Sequence, residues 1–138
     1  TTGYVDRVIV EPAKSLVINQ NNELISSSGS WDETIKVWNM TTGELKRTLS
    51  GHKYVNTLVI NKDNELISGS GDTTIKIWDM ETGQVKRTLT GHTGQVFSLV
   101  INKNNELVSG SYDAQIKIWN MTTGELKKTL YGHSNIIW

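Results

Sequence analysis

The sequence predicts an all-β fold built from three tandem repeats, and two observations lead to this prediction. The first is self-similarity: stretches that start at Asn22, Asn64 and Asn105 read NELISSSGSWDETIKVWNMTTGELKRTL, NELISGSGDTTIKIWDMETGQVKRTL and NELVSGSYDAQIKIWNMTTGELKKTL. The second is that short apolar runs inside each repeat alternate with polar or glycine-rich turns, while no helical periodicity of useful length occurs. A repeat of this kind sets the architecture of the whole chain.

Each repeat divides into four predicted strands. In the second repeat they are NTLVIN, NELISGS, TTIKIW and QVKRTLT, separated by the turns NKDN, SGD and DMETG. Runs rich in β-branched residues favour strands. Ile75 and Ile77 alternate with Lys76, as residues on the two faces of a sheet do. A glycine follows MTT or MET in every repeat, where we expect a turn that needs a positive φ.

Tryptophans and Gly-His pairs mark the repeats at a constant spacing. Three of the five tryptophans lie at 38, 78 and 119 and the Gly-His pairs begin at 51, 91 and 132, so both spacings are 40 and 41 residues. A period of about 40 to 45 residues with these marks is typical of four-stranded propeller blades. The chain resembles the WD-repeat family of β-propellers over nearly its whole length. The resemblance implies three antiparallel blades, at residues 13–50, 54–90 and 95–131.

The two ends of the chain do not complete a blade. Residues 1–10, TTGYVDRVIV, align with the outer strand TTGELKRTLS, so we expect a stray N-terminal outer strand. Residues 132–138 contain GHSNIIW, which aligns with the start of an inner strand, so we expect a truncated C-terminal inner strand at 134–138. Both ends favour an origin as a fragment of a longer propeller.

Three blades do not close a ring, because propellers usually contain about four to eight. If each bare end face is roughly 500 Å², leaving it exposed to water loses on the order of 12 kcal/mol of hydrophobic stabilisation. We therefore expect the chain to assemble with itself head to tail, as a dimer with six blades or a trimer with nine. Alternatively, the missing blades belong to a longer chain, and both explanations can hold together.

Composition excludes several classes of partner and cofactor. Fourteen basic and fourteen acidic residues balance, so we expect neither nucleic acid nor a membrane surface as a partner. There is no cysteine, and His52, His92 and His133 lie at equivalent positions of successive blades, where they do not converge. We expect no metal, no cofactor and a cytoplasmic location.

Serine, histidine and aspartate recur in a pattern that superficially suggests a hydrolase. The same set occurs twice at a fixed offset and lacks the G-x-S-x-G turn of many hydrolases, so we expect a structural role and no enzyme activity. In the first blade Glu11 and Pro12 replace Gly-His, which predicts the weakest network there. The resemblance assigns these residues to the buried network: His52, Ser68, Asp72 and Trp78; His92, Ser109, Asp113 and Trp119; and Asp32 and Trp38, with Ser26.

The resemblance also implies a protein-binding top face, built by the loops that enter the inner strands and by the residue before each turn aspartate. The residues at these positions are Trp31, Tyr54, Asn56, Gln95, Phe97, Tyr112 and Trp138. Aromatic residues are enriched in interface anchors. Alternatively, Phe97 and Trp138 pack into a neighbouring blade and Trp31 packs within its own loop.

Two functional classes remain open at this point. One is a protein-interaction scaffold, which the divergent aromatic residues Trp31 and Tyr112 favour. The other is a self-assembling propeller fragment, of evolutionary or engineered origin and without an external ligand, which the near-identity of the blades favours.

Overall fold

The structure is a computed structural model that describes residues 13–28 and 33–132. The predicted outer strand at 1–10 and the partial inner strand at 134–138 lie outside these ranges. The described residues form twelve β-strands: β1 (Ser15–Ile18), β2 (Glu23–Ser27), β3 (Thr34–Asn39), β4 (Leu45–Ser50), β5 (Val55–Ile60), β6 (Leu66–Ser70), β7 (Ile75–Asp79), β8 (Gln84–Leu89), β9 (Val96–Ile101), β10 (Leu107–Ser111), β11 (Ile116–Trp119) and β12 (Leu126–Leu130).

The strands form three four-stranded antiparallel sheets, each a meander of consecutive strands, which confirms the predicted fold class. β1–β4 form the first blade, β5–β8 the second and β9–β12 the third. Each blade repeats one irregularity: the register between its third and fourth strands shifts just before the tryptophan, at Trp38, Trp78 and Trp119. Such a bulge twists the strand locally, so the repeated sequence reproduces the same distortion three times.

The apolar core lies between the blades. Each blade has two apolar faces, because alternate residues of a strand point to opposite sides. We call them the isoleucine face and the tryptophan face. At the first junction the isoleucine face of the first blade packs on the tryptophan face of the second, and the buried residues are Ile25, Ile35, Val37 and Leu49 against Val55, Leu58, Leu66 and Trp78.

The second junction repeats this packing with the next pair of blades. The isoleucine face of the second blade meets the tryptophan face of the third, and the buried residues are Ile67, Ile75, Ile77 and Leu89 against Val96, Leu99, Leu107, Trp119 and Met121. The second blade therefore buries both of its faces. It is the only described blade with a neighbour on each side.

Within residues 13–28 and 33–132, the end blades each leave one apolar face open. On the tryptophan face of the first blade, Leu16 is 60% exposed, whereas Leu58 at the equivalent position of the second blade is 5% exposed. On the isoleucine face of the third blade, Leu130 is 41% exposed, whereas its equivalent Leu89 is 2% exposed. Ile18, Met40 and Val100 are further large apolar side chains that these two faces expose.

The described part of the chain contains no helix long and apolar enough to cross a membrane.

Truncating equivalent leucines should separate a covered face from an open one. We expect Leu89→Ala to lower the free energy of unfolding by about 3 kcal/mol, because it leaves a cavity in the second junction. Leu130→Ala should cost less than about 1 kcal/mol in the dissociated chain, because that side chain is already partly in water. Urea unfolding at low protein concentration measures both values, and equal losses would contradict the distinction between the faces.

Candidate functional site

The Ser-His-Asp set of the third blade comes from three separate segments. His92 lies in the loop that enters β9, Ser109 lies on β10, and Asp113 lies in the turn between β10 and β11. Trp119 ends β11 and pairs in the sheet with Leu107. The meander brings these segments together because β10 is hydrogen-bonded to both β9 and β11.

The four side chains of the third blade form one hydrogen-bonded chain. His92 Nδ1 lies 2.8 Å from Asp113 Oδ2, and His92 Nε2 lies 2.7 Å from Ser109 Oγ. Because a carboxylate only accepts, Nδ1 carries the proton and the Ser109 hydroxyl donates to Nε2. The Trp119 indole N–H donates to Ser109 Oγ at 2.9 Å. The backbone N–H of Thr93 adds a bond to Asp113 at 3.0 Å.

This arrangement uses the same ring nitrogens as a hydrolytic Ser-His-Asp triad. Its surroundings are different. Ser109 has no solvent exposure, and its oxygen already accepts the bond from Trp119. A nucleophile must reach a substrate carbon, and a wholly buried hydroxyl cannot. The chain of bonds instead ties the entry loop, the second strand and the third strand of one blade together, so we infer a fastening role.

The second blade brings together the equivalent residues with one member added. His52 Nδ1 lies 2.7 Å from Ser68 Oγ, to which the Trp78 indole N–H donates at 2.8 Å. The other ring nitrogen faces Thr74 Oγ1 at 3.0 Å and lies 3.5 Å from Asp72 Oδ1. The Thr74 hydroxyl donates to Asp72 at 2.6 Å. Asp72 therefore contacts the imidazole mainly through threonine, and the ring is turned relative to His92.

In the first blade, the structure describes only part of the predicted network. The Trp38 indole N–H donates to Ser26 Oγ at 2.9 Å, as in the other blades. Asp32 lies in the segment 29–32, and Glu11 and Pro12 lie in the segment 1–12; neither segment belongs to the described ranges. Ser26 is half-buried, whereas Ser68 and Ser109 are fully buried.

Burial sets the charge of both imidazoles. Burial is the main cause that lowers the pKa of His52 to about 4, with the charge of Asp72 opposing this shift and that of Lys76 adding to it. Burial likewise lowers the pKa of His92, although the hydrogen bond and charge of Asp113 act in the opposite direction. Both rings are therefore neutral near pH 7, when each can donate one proton and accept another.

The turn aspartates stay ionised. Burial alone would raise the pKa of Asp113, but the hydrogen bond from His92 and the backbone N–H groups of Gln115 and Thr93 outweigh it and lower the pKa. In the same way, hydrogen bonds from the Thr74 hydroxyl and backbone outweigh burial and lower the pKa of Asp72. Each network thus joins a neutral imidazole to a carboxylate.

The predicted top-face residues of the third blade are partly packed against one another. The rings of Phe97 and Tyr112 stack with their centroids 4.2 Å apart. Lys14, from the loop before β1, places its ammonium 5.7 Å from the centre of the Phe97 ring. Phe97 thus packs on a turn of its own blade, and the entry to the inner strands carries a cation beside an aromatic pair.

Between the second and third blades, the top-face residues bridge the junction. The Asn56 amide donates to the Val96 carbonyl at 3.2 Å. Gln95 lies over the turn of the second blade, since a Cβ at Gly71 would stand 3.0 Å from its Oε1. Tyr54 is 42% exposed. Trp31 and Trp138 belong to segments that the structure does not describe, so their predicted role stays a prediction.

Across residues 13–28 and 33–132, no group of three or more histidine, aspartate or glutamate side chains is placed to hold a metal ion. The histidines of the second and third blades are instead engaged within their own blades. No buried side-chain nitrogen or oxygen in these ranges lacks a hydrogen-bond partner.

Two parts of the arrangement have no mark in the repeat pattern. Thr74 enters the network of the second blade, while the third blade has Gln115 two residues after its aspartate. Arg47 and Arg87, on outer strands that look solvated in sequence, each reach the next blade. The outer strands of the first two blades read KRT, whereas that of the third reads KKT. This arginine is the sequence signal that could have indicated the contacts with the next blade.

Comparisons with known proteins agree with this geometry. A family model described as "WD domain, G-beta repeat" matches residues 10–39, 43–79 and 83–120. The chain is 48% identical over 40 residues to "Small ribosomal subunit protein RACK1y" of Oryza sativa subsp. japonica, which is 28% of this chain and 12% of that protein. It is 43% identical over 49 residues to "Small ribosomal subunit protein RACK1" of Drosophila melanogaster, which is 35% of this chain and 15% of that protein.

Among solved structures, "Crystal structure of RRP9 WD40 repeats" is similar with a TM-score of 0.84 and 26% sequence identity. The match covers 93% of this chain and 41% of that chain. The present chain thus spans less than half the length of the proteins it matches.

The buried histidines should make the fold sensitive to mild acid. The pKa of His52 is about 4 in the folded chain, below its ordinary value of 6.5. The contribution of the neutral imidazole to the free energy of unfolding is therefore complete above pH 6.5 and is lost as the pH falls towards 4. We expect the free energy of unfolding to drop by on the order of 3 kcal/mol between pH 7.5 and 4.5. Urea unfolding at several pH values measures this, and His52→Gln should flatten the dependence. An unchanged slope in that variant would contradict the assignment.

Proposed function

The chain belongs to the WD-repeat family of β-propellers, and from that premise we propose that it is a non-catalytic protein-interaction scaffold whose blades close into a ring by head-to-tail association of identical copies. A fold by itself does not define a function. The observation that carries the proposal is the match between the two open faces and the two faces that are joined at each internal junction.

The open faces are complementary in kind. The first blade exposes a tryptophan face and the third exposes an isoleucine face. Each internal junction joins one isoleucine face to one tryptophan face. A second copy can therefore continue the same packing. Such a contact joins two different surfaces, so it repeats until the rotation closes a ring. Two copies would give six blades and three copies would give nine.

The area involved supports a stable association. If each open face is roughly 500 Å², one junction removes about 1,000 Å² from water and the two junctions of a closed dimer remove about 2,000 Å². That total lies in the range of specific protein interfaces. Open apolar faces of this size are uncommon on monomers and usually mark an interface.

Two charge variants test the ring. Leu16→Glu places a carboxylate on the open tryptophan face, and Val100→Glu places one on the open isoleucine face. We expect the unmodified chain to associate in sedimentation velocity and each variant alone to remain monomeric, because every junction needs one face of each kind. An equimolar mixture of the variants should recover a dimer, since the Val100→Glu copy offers an intact tryptophan face and the Leu16→Glu copy an intact isoleucine face.

The same experiment has two results that would overturn the proposal. A chain that is monomeric at all accessible concentrations does not close into a ring. If Leu16→Glu prevents association and Val100→Glu does not, the tryptophan face pairs with itself, and a head-to-tail ring is wrong.

Binding to other proteins is proposed for the top face, where Tyr54 is exposed and Phe97 and Tyr112 stack near Lys14. We expect Tyr54→Ala to weaken capture of partner proteins by roughly tenfold, because exposed aromatic residues often anchor interfaces. Quantitative mass spectrometry of material retained by the immobilised protein measures this. Val85→Ala, at an exposed apolar side chain on the outer strand β8 of the same blade, is the matched control. Retention of only further copies of the chain would instead favour a self-assembling propeller with no external ligand.

A further inference from the structure

An arginine crosses from the outer strand of one blade to the next blade at each internal junction. Arg47 on β4 donates to the Met80 carbonyl. Arg87 on β8 donates to the Thr122 carbonyl at 2.6 Å and to the Thr123 carbonyl at 3.0 Å. All three carbonyls lie in the turn between the third and fourth strands of the neighbouring blade, which we call the outer turn. The contact is therefore a repeated polar link beside the apolar junction.

The outer turn is shaped to accept such a side chain. In the third blade, Asn120 Oδ1 accepts from the backbone N–H groups of Thr122 and Thr123 at 2.9 and 3.0 Å. Those bonds occupy the turn's donors and leave its carbonyls for a cation. The Arg87 stem also covers the turn glycine, because a Cβ at Gly124 would stand 2.9 Å from Arg87 Cδ. Arg47 covers Gly83 in the same way, at 3.4 Å.

In the first blade the same outer turn has no covering side chain from the described part of the chain. Asn39 Oδ1 accepts from the backbone N–H groups of Thr41 and Thr42 at 2.8 and 3.2 Å, as Asn120 does in the third blade. Gly43 has a φ of 78°, close to the 80° of Gly124. Apart from its own chain neighbours, no heavy atom of the described residues lies within 4 Å of a Cβ built at Gly43. This turn borders the open tryptophan face, so it has carbonyl acceptors and no neighbouring blade among residues 13–28 and 33–132.

Lys128 holds the corresponding position on the last outer strand. It pairs in the sheet with Ile118, as Arg47 pairs with Val37 and Arg87 with Ile77. Lys128 is exposed and borders the open isoleucine face. A basic side chain and an uncovered outer turn thus stand at opposite ends of the arc, at the places that a head-to-tail contact would bring together.

We propose that Lys128 of one copy binds the outer turn at residues 40–43 of the next copy, and that this link sets the strength of the junction between copies. The inference rests on the head-to-tail association proposed above. Arg87 reaches two carbonyls with one planar guanidinium, whereas a lysine ammonium is a single point of charge. The junction between copies is therefore weaker than the internal junctions, and the ring opens there first.

Conservative substitutions at position 128 test the link. Lys128→Arg should lower the dissociation constant for self-association by roughly three- to tenfold, because it recreates the side chain found at both internal junctions. Lys128→Ala should raise the dissociation constant by a similar factor. Lys127→Arg is the matched control on the same strand, since Lys127 pairs with Glu106 within its own blade, and it should leave the constant unchanged. Sedimentation equilibrium measures all four proteins.

The outcomes separate this inference from the ring itself. If the chain associates and Leu16→Glu prevents it, but neither variant at position 128 changes the dissociation constant, the Lys128 link is wrong and the ring stands. An equal effect of Lys127→Arg and Lys128→Arg would also overturn it, because the gain would then come from arginine in general. A chain that never associates overturns both proposals.

Discussion

The structure depends on a single packing constraint: every blade has two apolar faces of different composition, and each can be buried only by another blade. A four-stranded sheet of this length has no room for a core of its own, so burial must come from stacking. The isoleucine face supplies β-branched side chains from the second and third strands, and the tryptophan face supplies the large ring that fills the space opposite them. Because of this asymmetry all blades stack in the same orientation, and like faces never meet at the internal junctions.

The polar network solves a second problem that the same packing creates. A tryptophan ring buried in a junction carries an N–H that needs an acceptor. Serine provides it, histidine holds the serine, and in the third blade aspartate holds the histidine directly. The arrangement contains the atoms of a hydrolytic triad because both tasks require a neutral imidazole between a hydroxyl and a carboxylate. Burial of Ser109 distinguishes this network from a catalytic triad, because it removes the access to substrate that a nucleophile needs.

The repeat predicted three complete blades and their strand order, because periodicity and turn residues act locally, whereas the network residues were assigned by the family resemblance. It did not predict how His52 would turn. The methyl-bearing hydroxyl of Thr74 fits between His52 and Asp72, while the longer Gln115 leaves His92 free to contact Asp113. That difference depends on the placement of side chains from separate strands. The arginine in KRT was the one sequence signal of the links between blades, and it could not show their reach, because that depends on the distance between blades.

If copies of the chain join head to tail as proposed, the inner strands give a further reason for the junction between copies to be the weakest. At the first junction the Ser27 hydroxyl donates to the Val55 carbonyl at 3.2 Å. At the second, Gly69 takes the place of Ser27, and a Cβ there would stand only 2.8 Å from Val96 Cγ1, so the strands approach closely. In a junction between copies, Gly110 of the third blade would take the place of Ser27 or Gly69. Its neighbour would be Ala13, which lies two residues before Ser15. Val55 lies in the same way two residues before Thr57. Neither the serine bond nor the valine contact is available to that pair, so less is gained at the inner edge there than at either internal junction.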